Sequence, residues 1–473
     1  MGIKLDWQIE SEQTQARAGE DPEARRQRHV ARRRLLLLIV GLAAVLIAAG
    51  AAIYWRLNQV DSQYRQDLLD TVEVETTALR IGDFAGFMAV QRSASDAFML
   101  DQSRAFEAYQ QLKQTHSVDL PGTVVDATID HLRGRVVVQE IIDGVPYNVA
   151  WFYWFYEDKG STDQGGWRHV PADLTFWGDE AEITSGAATV TYHTLDAALA
   201  AALAPRVGTW WSQGCQLLQC TALPPDLRVD IVAERPAALE WATYDAWTLR
   251  ITSPLVDRAR ADAAIPPDLN TSIAQALARR LVRYAASDSV TPPPTDAAWI
   301  ADELAGWLSW QFTGSAAAST GEFTRSLIAQ YGAGAPGTLA RTLPSQPTLD
   351  AALSAITGQS LAQIPGETLA ALDWRGFFQW RLDVEAELLA QVDGSAALLD
   401  LYDLESASAA SEVARRIEDP TYASRTAPQV QVVNVLRDDS GQTYAYVDAV
   451  RAEDGATTQI IWRLANGSWK RSN

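Results

Sequence analysis

The sequence predicts a multidomain α+β protein carried on one N-terminal transmembrane helix. Three observations predict it. Leu35–Tyr54 (LLLLIVGLAAVLIAAGAAIY) is a run of twenty residues without a charge. Two stretches, one near each end, share a plan of helices followed by alternating strands, and each closes on a Gly-x-Trp-basic tetrapeptide, Gly165-Gly-Trp-Arg168 and Gly467-Ser-Trp-Lys470. The stretch between them mixes alternating strands with an Ala-rich helix and then turns wholly helical.

The apolar run is long enough to cross a bilayer as a helix, at 1.5 Å per residue. Tyr54 and Trp55 lie where interfacial aromatics lie. Residues 1–34 carry eight Lys/Arg and six Asp/Glu, and the basic cluster abuts the run. The positive-inside rule therefore expects 1–34 in the cytoplasm, 35–55 in the membrane and the remainder outside. A cleaved signal peptide is the rival reading; the length of the run and of its charged lead argues against it. No other apolar run approaches this length.

The chain has 473 residues, enough for about three domains at roughly 150 residues each. Its net charge of −20 excludes a nucleic-acid partner on electrostatic grounds. Cys215 and Cys220 are its two cysteines. In an exported domain this close pair is expected to form a disulfide, since two lone thiols do not make a zinc site.

From Asn58 to about Gln114 the apolar spacing is helical, broken at Gly82-Asp83. Thr123–Leu132 and Gly134–Ile142 read as strands, with a hairpin turn at Asp143-Gly144. Val149–Tyr156 and Trp167–Val170 follow, around a turn at Asp163–Gly166. The first domain is placed at 56–181. Strands are expected at Ala188–His193, Leu227–Val232 and Trp247–Thr252, with a helix over Leu195–Trp211. Ile273–Gln311 reads as two helices joined by a proline-rich loop. Helical pieces follow at Phe323–Gly332, Leu349–Gly358 and Asp373–Trp380, giving a middle domain at 182–380. Helical sequence over Leu382–Ile417 and four strands between Gln429 and Lys470, with turns at Asp438–Gly441, Asp454-Gly455 and Asn466-Gly467, make a third domain at 381–473. The repeated plan reads as an internal duplication.

Five histidines are present, at 29, 116, 131, 169 and 193. No two are three or four apart, so no helix offers a two-His metal face. His169 and His193 read as hydrogen-bonded structural residues. No Walker loop, dinucleotide fingerprint or Gly-x-Ser-x-Gly occurs. Glu303 and Glu322 read as solvated helix positions. Arg279, Arg280 and Arg283 read either as an exposed basic face or, for Arg279 and Arg283, as ion-pair partners of Asp302 or Glu303 on the next helix.

Trp299-Ile-Ala-Asp-Glu-Leu-Ala305 resembles the WLxEGLA segment of the gluzincin (peptidase MA) superfamily, whose Glu is the third zinc ligand. The helical pieces after it resemble the tail of that family's bacterial membrane-anchored members. Carried over by position, Arg279 and Arg283 fall on the ligand histidines, Arg280 on the catalytic Glu and Asp302 on the third ligand. The resemblance thus implies a degenerate zinc-peptidase-like domain with no catalytic residue, metal or cofactor. The two flanking domains resemble nuclear-transport-factor-2-like cones. The resulting expectation is a membrane-anchored extracytoplasmic protein whose inactive domain binds a peptide or another envelope protein. The alternative is a working membrane-anchored hydrolase, metallopeptidase-like, with an atypical site drawn from His169, His193 and distant acidic residues.

Overall fold

The computed structural model describes residues 22–157, 165–234, 239–286, 296–314, 321–346, 348–364, 369, 371–391 and 394–473. Most of the expected cytoplasmic tail, part of the turn at 163–166 and the proline-rich loop lie outside them. The described chain is α+β, with three sheets and an apolar N-terminal helix, and it divides into two compact units.

Among the described residues the first unit holds three helices: α1 (Pro22–Ile81), α2 (Phe84–Val90) and α3 (Asp96–Thr115). The apolar run does not end α1; Ala, Leu, Arg and Gln around Tyr54 are good helix formers, so one helix continues for 60 residues. Among the described residues it is the one helix long and apolar enough to cross a membrane. Its apolar stretch is exposed, with Leu37 and Leu38 above 70%, while Leu68 and Val72, one turn apart, are fully buried. Gly82 ends the helix at φ +82, a conformation that penalises any Cβ. Asp83 then caps α2 by accepting from Gly86 N–H at 2.9 Å.

The first sheet has six strands. They include β1 (Val118–Asp119), β2 (Val124–Asp130), β3 (Arg133–Ile142), β4 (Val145–Tyr156) and β5 (Gly166–Val170). Asp143 and Gly144, both at positive φ, form the β3–β4 turn the sequence predicts. The division between units passes through β3 and β4. Within the first unit α1 lies against the sheet at Gly134, where a Cβ would stand 2.8 Å from Leu68 Cδ2.

The second unit contains β1, the other halves of β3 and β4, and everything from Ala172 onward. Strands β6 (Glu180–Ser185), β7 (Ala188–His193), β8 (Leu227–Val232), β9 (Leu239–Trp241) and β10 (Thr248–Thr252) form a sheet of order β6-β7-β8-β10-β9. Its centre is parallel and both edges are antiparallel. The β7-to-β8 connection is α4 (Ala197–Leu217), whose long apolar face covers the sheet. Cys215 and Cys220 close a small loop at the end of α4, with Cα atoms 5.2 Å apart. Strand β11 (Ala259–Arg260) pairs with β4.

The helices that follow are α5 (Pro267–Ala285), α6 (Asp296–Thr313), α7 (Glu322–Tyr331), α8 (Ala335–Thr342), α9 (Leu349–Thr357), α10 (Trp374–Ala390), α11 (Ser395–Leu399) and α12 (Ala407–Glu418). A meander of β12 (Gln429–Arg437), β13 (Thr443–Val450), β14 (Thr457–Ala465) and β15 (Ser468–Arg471) ends the chain. The border that the sequence suggests at 380/381 falls inside α10. This helix packs on both sides: Phe377 meets Trp299, with ring centroids 5.0 Å apart, and Phe378 meets Trp462 and Trp469 at 5.5 and 5.3 Å. One apolar cluster accordingly runs from Ala188 to Trp469. A buried ion pair lies in it: Arg381 donates to Asp296 at 2.5 Å, both nearly without exposure, and Asp296 also accepts from Leu349 N–H at 3.1 Å.

Candidate functional site

Helices α5, α6 and α10 enclose a cleft of about 370 Å³. Its lining includes Gln275 and Arg279 from α5, Trp299, Asp302 and Glu303 from α6, and Gln379, Trp380 and Asp383 from α10. Helix α5 reaches it because Ile273, Ala274, Leu277, Ala278, Leu281 and Val282 form one buried stripe. That stripe leaves Gln275 and Arg279, one turn apart, on the flank. Helix α6 is turned likewise by Ile300, Leu304 and Leu308, all at 0% exposure.

The residues singled out in the sequence come apart into different roles. Arg279 and Asp302 form an ion pair across α5 and α6 at 3.5 Å, each side chain more than 60% exposed. Arg283 does not join them; it is exposed and makes no ion pair among the described residues. One turn further along α5, it is beyond the part of the helix that faces Asp302. Arg280 points the other way, lying over the rings of Trp241 and Trp247 at 4.2 and 6.0 Å. Partial burial first, and the Arg283 charge second, lower its pKa. Glu303 is corrected outright. It is 3% exposed and accepts from the N–H of Gly321 at 2.8 Å, so it helps hold the start of α7. Gly321 sits at φ +76 with a Cβ position only 2.7 Å from Trp307 N, which explains the glycine. Glu322 is exposed, as expected, 3.9 Å from Arg325.

This donor set does not fit zinc. Guanidinium groups have no lone pair to give, and Asp302 alone is one ligand. Among the described residues no three His, Cys, Asp or Glu are grouped to hold a metal ion. The histidines of the alternative reading are engaged separately. His193 Nδ1 lies 3.0 Å from the Gly178 carbonyl, and His169 Nδ1 lies 2.6 Å from Glu75.

Sequence reasoning missed the third wall. Gln379 is fixed at both ends of its amide, donating to Asp383 and Pro428 O and accepting from Val430 N–H at 2.8 Å. Burial raises the Asp383 carboxyl, partly offset by that amide. Trp380 closes the cleft, half-buried. The Asp-Trp-Arg-Gly-Phe-Phe-Gln-Trp run was visible as a helix; its cleft-facing register was not.

Two fully buried carboxylates lie elsewhere. In the first unit Glu75 of α1 accepts from Tyr153 at 2.6 Å and Gln91 at 2.8 Å, beside His169. Burial and the Glu75 charge push the Tyr153 hydroxyl well above its usual pKa. In the second unit Glu385 of α10 accepts two contacts from Arg471 at 3.0 Å, one from Tyr402 at 2.6 Å and one from Arg416. Burial would raise the Glu385 carboxyl, but the Arg471 and Arg416 charges outweigh it and hold it below the usual range.

A scan of the chain against protein-family models gives no match, and a search of curated proteins gives none either.

Proposed function

We propose that this chain is a membrane-anchored extracytoplasmic binding protein whose α5–α6–α10 cleft holds an extended peptide segment without cleaving it. The observation that carries the reading is the Arg279–Asp302 pair spanning a cleft with tryptophan walls. Opposite charges and amides on the rim suit a peptide backbone, and Trp299 and Trp380 suit an apolar side chain. The resemblance to a gluzincin with arginines at its ligand positions supports the absence of hydrolysis. Two cone-like domains flanking a degenerate peptidase-like domain, with residues 1–34 cytoplasmic, complete the reading. The apolar exposed stretch of α1 and the disulfide fit that compartment.

The test uses the full chain in nanodiscs. Peptide-library binding is expected to be saturable, to fall with Trp380→Ala, and to leave the peptides intact. Zinc analysis is expected to find no stoichiometric metal. One zinc per chain, with peptide hydrolysis abolished by a chelator, rejects this reading in favour of a working hydrolase. Peptide binding indifferent to Trp380→Ala rejects the cleft.

A further inference from the structure

A second cavity, about 190 Å³, opens in the second unit between α10, α12 and the β13–β14 end of the meander. Its walls are apolar: Leu382, Ala386 and Leu389 on α10, Pro428 before β12, and Ile460 on β14. Its polar lining is basic, five arginines against three glutamates, within a chain of net charge −20. That local reversal of sign is the feature to explain.

Most of these arginines are already engaged. Arg471 and Arg416 hold Glu385, Arg415 and Arg416 hold Glu412, and Arg451 pairs with Asp454 at 2.8 Å. Arg425 is the exception. Its guanidinium lies over the buried Tyr422 ring at 4.0 Å, and its hydrogen bond is to Thr421 Oγ1 at 3.3 Å. It has no ion pair among the described residues. Stacking on an aromatic face fixes the plane of a guanidinium and leaves its N–H edges for a bidentate acceptor.

We propose that this cavity binds a small organic anion, a carboxylate or phosphate head on an apolar body. Arg425 takes the head, and the wall of Leu382, Ala386, Leu389 and Ile460 takes the body. The volume suits a small acid and not a diacyl lipid. The site is separate from the peptide cleft and stands or falls apart from it.

The full chain in zwitterionic nanodiscs is titrated by calorimetry with hexanoate, phenyl phosphate and hexylamine. The two anions are expected to bind saturably at one per chain, and hexylamine is not. Arg425→Gln removes a charge-assisted contact and is expected to weaken the anions by about tenfold or more. Ala386→Phe, which adds bulk to the apolar lining, is expected to abolish binding while Arg425 remains. The proposal is overturned if neither anion binds, if hexylamine binds as well as hexanoate, or if both variants bind like the parent chain.

Discussion

The buried carboxylates Glu75 and Glu385 occupy matching places in the two regions that the sequence reads as duplicates. Each sits on the helix that precedes a short helix, α2 or α11. Each is reached by a residue two positions after the tryptophan of a closing strand, His169 after Trp167 and Arg471 after Trp469. Each is also reached by a residue soon after the short helix, Gln91 one position past α2 and Tyr402 three past α11. Even the isolated bridges correspond, Gln91 with His169 and Tyr402 with Arg471, as do the backbone bonds from Arg92 N–H to His169 O and from Asp403 N–H to Arg471 O, both 2.8 Å. The same backbone frame thus carries two different partner sets. Around Glu75 they are an amide, a phenol and an imidazole. Around Glu385 two are permanent cations, and they border an open cavity. A shared backbone frame can keep its buried carboxylate while the partners decide how much charge is stored inside.

That contrast predicts unequal responses to mutation. The largest effect is expected for Glu385→Ala, which strips the buried Arg471 of its carboxylate and leaves Arg416 with Glu412 alone. The cost is about 3–5 kcal/mol, read as a fall in melting temperature. Glu75→Ala removes the shared partner of Tyr153, Gln91 and His169, groups without permanent charge, and is expected to cost about 1–3 kcal/mol. A larger loss at Glu75 than at Glu385 would break the comparison. The pH response is the next effect. The folded-state pKa of Glu385 lies below its ordinary value, so its contribution is full above that ordinary value and is lost as pH falls through the folded one. Acid melts of the parent and Glu385→Gln chains are expected to draw progressively together as pH falls below the ordinary carboxylate range, about 4.3. A gap between them that does not narrow on acidification contradicts the assignment.

The smallest effect belongs to the cleft. Arg279 and Asp302 are both exposed, so solvent screening holds their pair to under about 1 kcal/mol. Arg279→Met and Asp302→Asn are expected to add within about 0.5 kcal/mol in a double-mutant cycle. A coupling of several kcal/mol would show that the pair is a structural link and not part of an open rim.

Much of the local structure was legible. The twenty-residue apolar run, the Gly82-Asp83 break, the Asp143-Gly144 and Asn466-Gly467 turns and the alternation of β12 and β13 are written in neighbouring residues. Turn chemistry and periodicity act over a few positions, and the single chain supplies them. The match of Trp167 with Trp469 was visible as a tetrapeptide. The match of His169 with Arg471 was not, because the two side chains share no chemistry and only their common acceptor reveals it.

What the sequence alone determined, then, was the order of elements, the apolar helix, the close cysteine pair and the candidate helices α5 and α6. The tertiary structure decided which charges are buried. It put Glu303 inside rather than on a solvated face, and paired Arg279 rather than Arg283 with Asp302. It ran α10 through the expected border and joined Asp296 to Arg381, 85 residues away. The physical reason is that a charge is tolerated in the interior only where a partner meets it. Those partners come from segments that no local pattern connects.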